Sequence, residues 1–326
     1  MGETSTAVKS PGTPLPSQGR GRGRGWLRGE SNPLLIKELR GRMRGARAFV
    51  VLTVYLLLLS CFTAIIYYAY SASARGPGGG PDMAYLGKTV FASVILIEIF
   101  MVTFITPAFT AGAISGERER KTYELLRTTL LPARKLVAGK LTSALTYMFL
   151  LILAAVPLES LAFVLGGVVV EELVLALVIL LVTAFAFAAI GIFFSSLVRT
   201  TLVSTVLTYA TALLATVGLP ILLVILAPLL NPFTYGYSSS GPSWVVQAVM
   251  SYALYLTAGL SPITAAIFTE VTLEAESTIW FFWTSVGSGR LIPIPSAWIV
   301  YAVFYLGLAL VLLLVAVLRV RRQETR

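Results

Sequence analysis

Leu173–Leu197 reads LVLALVILLVTAFAFAAIGIFFSSL, an unbroken stretch without a single charge. About 20 apolar residues in a helix cross the ~30 Å hydrocarbon core of a bilayer, so this stretch is long enough to span. A closed barrel is the other architecture that satisfies backbone polar groups in lipid. Barrel strands, however, alternate polar and apolar residues, and this stretch is nearly solid apolar, as is Phe49–Leu59 (FVVLTVYLLLL). Both are therefore read as helices. Comparable runs place six spans at about 48–70, 89–113, 141–165, 173–197, 202–230 and 297–318. Composition agrees: 57% of the 326 residues are hydrophobic and 12% charged, half the charge fraction of a soluble domain, about 25%. The expected class is an all-α integral membrane protein.

Whole classes of chemistry are absent. The chain has no histidine, Cys61 is its one cysteine and Asp82 its one aspartate. A His-based zinc site, a Ser-His dyad or a Cys-His pair cannot be built, nor can a pair of membrane aspartates. Cys61 cannot form an internal disulfide and reads as a packed thiol in an apolar run. ATP binding would call for GxxxxGK[ST]. Gly87-Lys88-Thr89 is the near match, but Asp82 stands where the first glycine belongs. No cofactor is expected in this chain.

Outside the spans, residues 1–31 are Gly, Pro, Ser and Arg with little to bury and read as a disordered basic tail. Its Gly19–Gly25 repeat (GRGRGRG) is expected to lie near anionic headgroups rather than to bind nucleic acid. No apolar segment of a cleavable signal peptide precedes Asn32. Asn32 and Pro33 are suited to the N-cap and first turn of a helix. Beyond them Leu35, Leu39 and Met43 share one face, while Lys37, Arg40 and Arg44 lie largely on others. The pattern is that of an interfacial amphipathic helix leading into the first span. The membrane-spanning body is thus 32–318, with a basic tail at 319–326.

Charge sets the orientation. With both termini in the cytoplasm, 22 of the 25 Lys and Arg residues are cytoplasmic, and only Arg75, Lys88 and Arg290 lie outside, as the positive-inside rule requires. The region 231–296 contains a long uncharged stretch, 241–269. If that stretch crossed, Glu270, Glu274 and Glu276 would be inside and the RVRR tail outside. Gly259-Leu260-Ser261-Pro262 would also break the helix midway. A pair of re-entrant helices in the outer leaflet is expected instead, with Trp280 and Trp283 at the interface.

The longest charged stretch between spans is Ile114–Lys140, ISGERERKTYELLRTTLLPARKLVAGK. Tyr123, Leu126 and Leu130 fall on one helical face, behind a mixed-charge start of Glu117, Arg118, Glu119, Arg120 and Lys121. Such a helix can dock apolar residues into a partner's groove and use its charges for register. A solvated loop obeying the charge rule explains the same residues, and charge alone does not decide. Within the membrane, Glu98 costs about 2.5–3.5 kcal/mol at mid-bilayer on insertion scales, so it must face a cavity or a polar partner. It is a candidate for the substrate path or a structural hydrogen bond to Ser93, Thr103 or a neighbouring helix. Glu159, beside Pro157, reads as close to external water and structural.

Asn32-Pro33 followed by Lys37-Glu38-Leu39-Arg40 and a Leu-rich span resembles the start of permeases of type-2 ABC exporters. The same family carries a block after its second span that this chain matches at Pro107-Ala108, Ala111-Gly112, Ile114 to Glu119, Thr122, Glu124, Leu125 and Leu126. Gly139-Lys140-Leu141 then opens the third span as in that family. The similarity covers about 32–209. The Arg-Gly tail, Tyr123 and the long 231–296 region depart from the pattern.

The resemblance implies a permease dimer, of identical or paralogous copies, energised by separate ABC ATPase subunits that hold ATP and Mg. Each permease would offer a cytoplasmic coupling helix, Glu117–Thr129, with Glu117, Arg118, Glu119, Thr122, Tyr123, Glu124 and Leu126 at the ATPase interface. The expected place is the plasma or inner membrane, among its lipids. The alternative reading is an autonomous protein, either a proton-coupled carrier using Glu98 or a lipid-handling membrane protein.

Overall fold

The computed structural model describes Gly2 and residues 46–73, 83–121, 132–235, 243–286 and 289–324. The basic tail and the interfacial helix expected before Ala46 lie outside the described residues. Everything described from Ala46 onward belongs to one unit, Asn32–Arg326.

In chain order the helices are α1 (Ala46–Ser73), α2 (Met83–Thr110), the short α3 (Ser115–Glu119), α4 (Ala133–Leu165) and α5 (Val170–Leu197). Then come α6 (Thr201–Leu213), a π-helical turn (Leu214–Gly218) and α7 (Leu219–Tyr235). Next are α8 (Trp244–Ala258), α9 (Pro262–Glu276), strands β1 (Phe281–Val286) and β2 (Arg290–Pro295), and α10 (Ala297–Glu324). Among the described residues six helical stretches are long and apolar enough to cross a membrane: Phe49–Ala72, Met83–Glu119, Ala133–Leu165, Val170–Leu197, Thr201–Leu226 and Ala297–Arg322. They correspond one to one with the six expected spans. The chain is a multi-pass, mainly helical membrane protein.

The hub is α5, the most buried of the six, which packs against α2, α4, α6, α9 and α10. Ala184, Ala186, Ala188 and Ala189 are all buried along it. Small residues let helix backbones approach, which matters in lipid because apolar burial supplies little drive between helices. The limit is Gly191, where a Cβ would lie 2.1 Å from Thr110 Oγ1 of α2. Only glycine fits that crossing. Glu171 and Glu172 occupy the first turn of α5, where negative charge complements the helix dipole, and Glu172 Oε2 accepts the Val169 N–H at 3.3 Å. At the same end, a Cβ on Gly87 would sit 2.1 Å from the Gly166 carbonyl oxygen. The glycine of the near-miss phosphate motif is thus required for packing. Cys61 differs from expectation: it is exposed on α1, on the face turned away from the bundle.

Proline explains the π turn. Pro220 has no N–H to give the Thr216 carbonyl, its partner four residues back. The Ser261 hydroxyl donates to that carbonyl at 3.4 Å, and the Thr216 hydroxyl meets Thr103 Oγ1 of α2 at 3.2 Å.

Asn231–Ser296 is only partly as expected. The helix does break at Gly259–Ser261, with Pro262 in the first turn of α9, and the Tyr305 hydroxyl of α10 donates to the Leu260 carbonyl exposed by the break at 2.8 Å. Helices α8 and α9 have 15 residues each; at 1.5 Å per residue each extends about 22 Å, short of a full crossing. Between α9 and α10 the chain turns to strand. β1 and β2 form an antiparallel hairpin pairing Phe281 with Pro295 and Val286 with Arg290. Phe282 and Val286 are buried while Phe281 and Trp283 are exposed, the two-residue alternation of a half-buried strand. The hairpin is tied down by Tyr252, whose hydroxyl donates to the Pro293 carbonyl at 2.6 Å. Trp298 Nε1 secures its approach by donating to the Ile279 carbonyl at 2.8 Å.

Candidate functional site

The segment that leaves α2 is anchored before any partner is considered. Ile114 is fully buried in a small apolar cluster with Ala133, Leu136, Val137, Ile192, Ala316 and Val320, which joins the ends of α4, α5 and α10. Helix α2 ends at Thr110, so the backbone groups just after it must find other partners. Ser195 Oγ of α5 accepts both the Ile114 N–H, at 2.8 Å, and the Ser115 N–H, at 3.0 Å. A hydroxyl oxygen has two lone pairs and can serve both. The Ser204 hydroxyl of α6 donates to the Ala111 carbonyl at 2.6 Å.

The three charges of Glu117-Arg118-Glu119 then go to three different elements. Glu117 Oε1 meets Lys140 Nζ of α4 at 2.6 Å, and the lysine side chain is only 6% exposed. The Arg118 guanidinium donates to the Val198 and Ser196 carbonyls at 3.4 and 3.3 Å, a cation placed at the C-terminal end of α5. Glu119 accepts the Thr201 N–H at 2.8 Å and the Thr201 hydroxyl at 2.6 Å. It thereby caps α6, whose own N-cap residue, Thr200, makes no side-chain cap bond.

These partners differ from the role expected of the charges, which was to set register against an ATPase. The segment also does not continue as one helix from Glu117 to Thr129. Helix α3 ends at Glu119, and Lys121 has φ +57°, a left-handed conformation that ends a helix. Arg120 and Lys121 are exposed beyond the anchored part. Thr122, Tyr123, Glu124 and Leu126 lie outside the described residues.

The second candidate, Glu98, is fully buried on α2. Its partner is neither Ser93, which donates to the Thr89 carbonyl, nor Thr103, which donates to the Ile99 carbonyl. It is Tyr55 of α1, whose hydroxyl donates to Glu98 Oε1 at 2.8 Å. Glu159 of α4 corrects the expectation of a solvated position. It is fully buried and near enough to Glu98 to interact electrostatically. Glu98 Oε2 and both Glu159 oxygens have no hydrogen-bond partner in the protein. Two fully buried carboxyls therefore share one polar island among α1, α2 and α4. Among the described residues no group of His, Cys, Asp or Glu is arranged to hold a metal ion.

Comparison with known proteins gives a family match. The family model described as ABC-2 family transporter protein matches residues 33–325, nearly the whole chain. No curated protein matches the sequence. The matched stretch takes in all six spans, the Ile114–Glu119 anchor and the region between α7 and α10. This chain therefore belongs to the ABC-2 transporter family, as a membrane permease of an ABC transporter rather than a catalytic subunit.

Proposed function

We propose that the chain is the membrane-spanning half of an ATP-driven exporter, working as a dimer with separate ATPase subunits. In this reading both termini face the cytoplasm, and the segment after Lys121 carries the contact with the ATPase. The observation that carries the proposal is the anchoring of Ile114–Glu119. Force applied to the chain beyond Lys121 meets α4 through Glu117–Lys140, α5 through Arg118 and Ser195, and α6 through Glu119–Thr201. A rigid root tied to three spans is what converts a local push into a shift of the bundle between two arrangements. The charges thus transmit, and the residues at 122–131 receive. Helices α8 and α9 act as the outer-leaflet re-entrant pair.

The test is reconstitution. The permease co-expressed with its ABC ATPase and placed in liposomes should raise ATP hydrolysis above that of the ATPase alone, and the purified permease should not hydrolyse ATP. ATP-dependent movement of solute out of the cytoplasm-facing side would establish export. Equal hydrolysis with and without the permease would contradict the proposal. The reading as an autonomous carrier would gain only if flux followed a proton gradient without ATP.

A further inference from the structure

At the end of the bundle away from Glu117 lies a small open cleft between α2, α5 and α9, with an internal volume of about 140 Å³. Its walls are apolar, with Phe91, Ile95, Ile179 and Ala266 among them, and its polar groups are Glu172, Thr269 and Glu270.

The mouth is acidic. Lys88 Nζ stands 3.7 Å from Glu172, 3.5 Å from Glu270 and 3.4 Å from Glu274, so a single ammonium faces three carboxylates. Burial and the nearby Glu172 carboxylate raise Glu270 above the usual carboxylate range, with Lys88 acting in the opposite sense. Thr269 is an independent sign. It is 3% exposed, it lines the cleft, and its hydroxyl has no protein partner. A threonine inside a helix ordinarily donates to the carbonyl four residues back, as Thr272 does to Phe268 at 2.7 Å. Thr269 makes no such bond, and a buried hydroxyl left without one is costly.

We infer that this cleft binds an amphipathic monocation, with an alkyl chain between α2 and α9 and an ammonium group among Thr269, Glu172 and Glu270. The apolar walls take the chain. The ammonium satisfies the Thr269 oxygen and offsets the surplus carboxylates. A phospholipid headgroup fits less well, because its phosphate would stand against the same acids. The inference concerns a site separate from the ATPase contact and holds whether or not the proposed coupling is correct.

The experiment is saturable binding of octylamine, charged at neutral pH, to the full chain in nanodiscs, with protein-free nanodiscs as the blank. Octylamine should bind at least tenfold more tightly than octanol, which lacks the charge, and than methylamine, which lacks the chain. Glu270→Gln should weaken it tenfold or more, and Thr269→Val about threefold. Glu276→Gln removes an exposed charge from the end of α9 without lining the cleft and should change it less than threefold. Ala266→Phe, which fills the apolar end, should abolish binding and serves should Glu270→Gln not fold. Binding of octanol as tight as octylamine, or octylamine binding indifferent to both Glu270→Gln and Ala266→Phe, would overturn the inference.

Discussion

Glu119 holds the first residue of α6 by both of its donors: the Thr201 N–H at 2.8 Å and the Thr201 hydroxyl at 2.6 Å. A carboxylate at a helix N-terminus satisfies an otherwise orphaned donor and complements the dipole. Here it comes from a residue 82 positions earlier, so the cap of one span is the end of another's exit segment. Glu119→Ala should speed amide hydrogen exchange in the first turn of α6, Thr201–Thr205, and leave α10 unchanged. Arg120→Ala, one residue along and exposed, should do neither. Unaltered exchange at Thr201 in Glu119→Ala would remove the cap from the account.

The Glu117–Lys140 pair should be asymmetric. The lysine side chain is 6% exposed and the glutamate 25%. Removing Glu117 takes the carboxylate away from a nearly buried ammonium, whereas removing Lys140 takes the ammonium away from a carboxylate that is a quarter exposed. Loss of one partner of a buried pair costs about 3–5 kcal/mol, and the exposure of Glu117 reduces this. Glu117→Ala should therefore destabilise the detergent-solubilised protein by about 2–4 kcal/mol, and Lys140→Met by less. The exchanged pair Glu117→Lys with Lys140→Glu should recover part of the loss. Equal effects of the two single changes would argue against the asymmetry.

Ser195 serves two backbone donors at once. Ser195→Ala leaves both without their acceptor in a buried place, at about 1–3 kcal/mol for each unsatisfied group. Ser196→Ala is the comparison: the Ser196 hydroxyl only donates back to the Phe193 carbonyl of its own helix. Thermal unfolding should separate them clearly, with Ser195→Ala the more damaging.

Glu98→Gln keeps an acceptor for Tyr55 and removes an ionisable group from the island with Glu159. An ATP-driven exporter has no need of that ionisation, so folding and stimulated ATP hydrolysis should survive. Tyr55→Phe should cost more in stability than Glu98→Gln, since it removes the one protein hydrogen bond that the pair receives. Flux driven by a pH gradient without ATP, and lost in Glu98→Gln, would instead support the proton-coupled carrier.

Much of the fold could be read from the sequence because lipid makes the rules severe. Each of the six spans is a long apolar run, broken by charge only at Glu98 and Glu159, and the break at Gly259–Ser261 is marked by its glycine and by Pro262. The hairpin was harder to see. Its strands are six residues each and β2 carries Pro293 and Pro295, which argue against a strand except at an edge. A two-stranded sheet has only edges. The turn signal, Val286-Gly287-Ser288-Gly289, was the available clue.

The site was less legible for a different reason. The block Ile114–Glu119 was recognisable as a block, but nothing local shows that Lys140, Ser195 and Thr201 converge on it. Charges in a loop look partner-facing until the fold brings their partners. Glu98 and Glu159 are likewise 61 positions apart in sequence, and Pro157 gave Glu159 the look of a solvated helix end.

The most direct measurement of the central claim is ATPase capture by permease variants altered on either side of Lys121. Apolar anchors at interface centres commonly cost 2 kcal/mol or more when truncated, and each 1.4 kcal/mol is tenfold in affinity. Tyr123→Ala with Leu126→Ala should therefore weaken co-purification of the ATPase by about tenfold or more while thermal stability stays unchanged. Glu117→Ala should lower stability first, and Glu274→Lys, at the opposite end of the bundle, should leave the ATPase attached. If Tyr123→Ala with Leu126→Ala leaves both capture and stimulated hydrolysis intact, the segment beyond Lys121 is not the ATPase contact and the account of coupling fails.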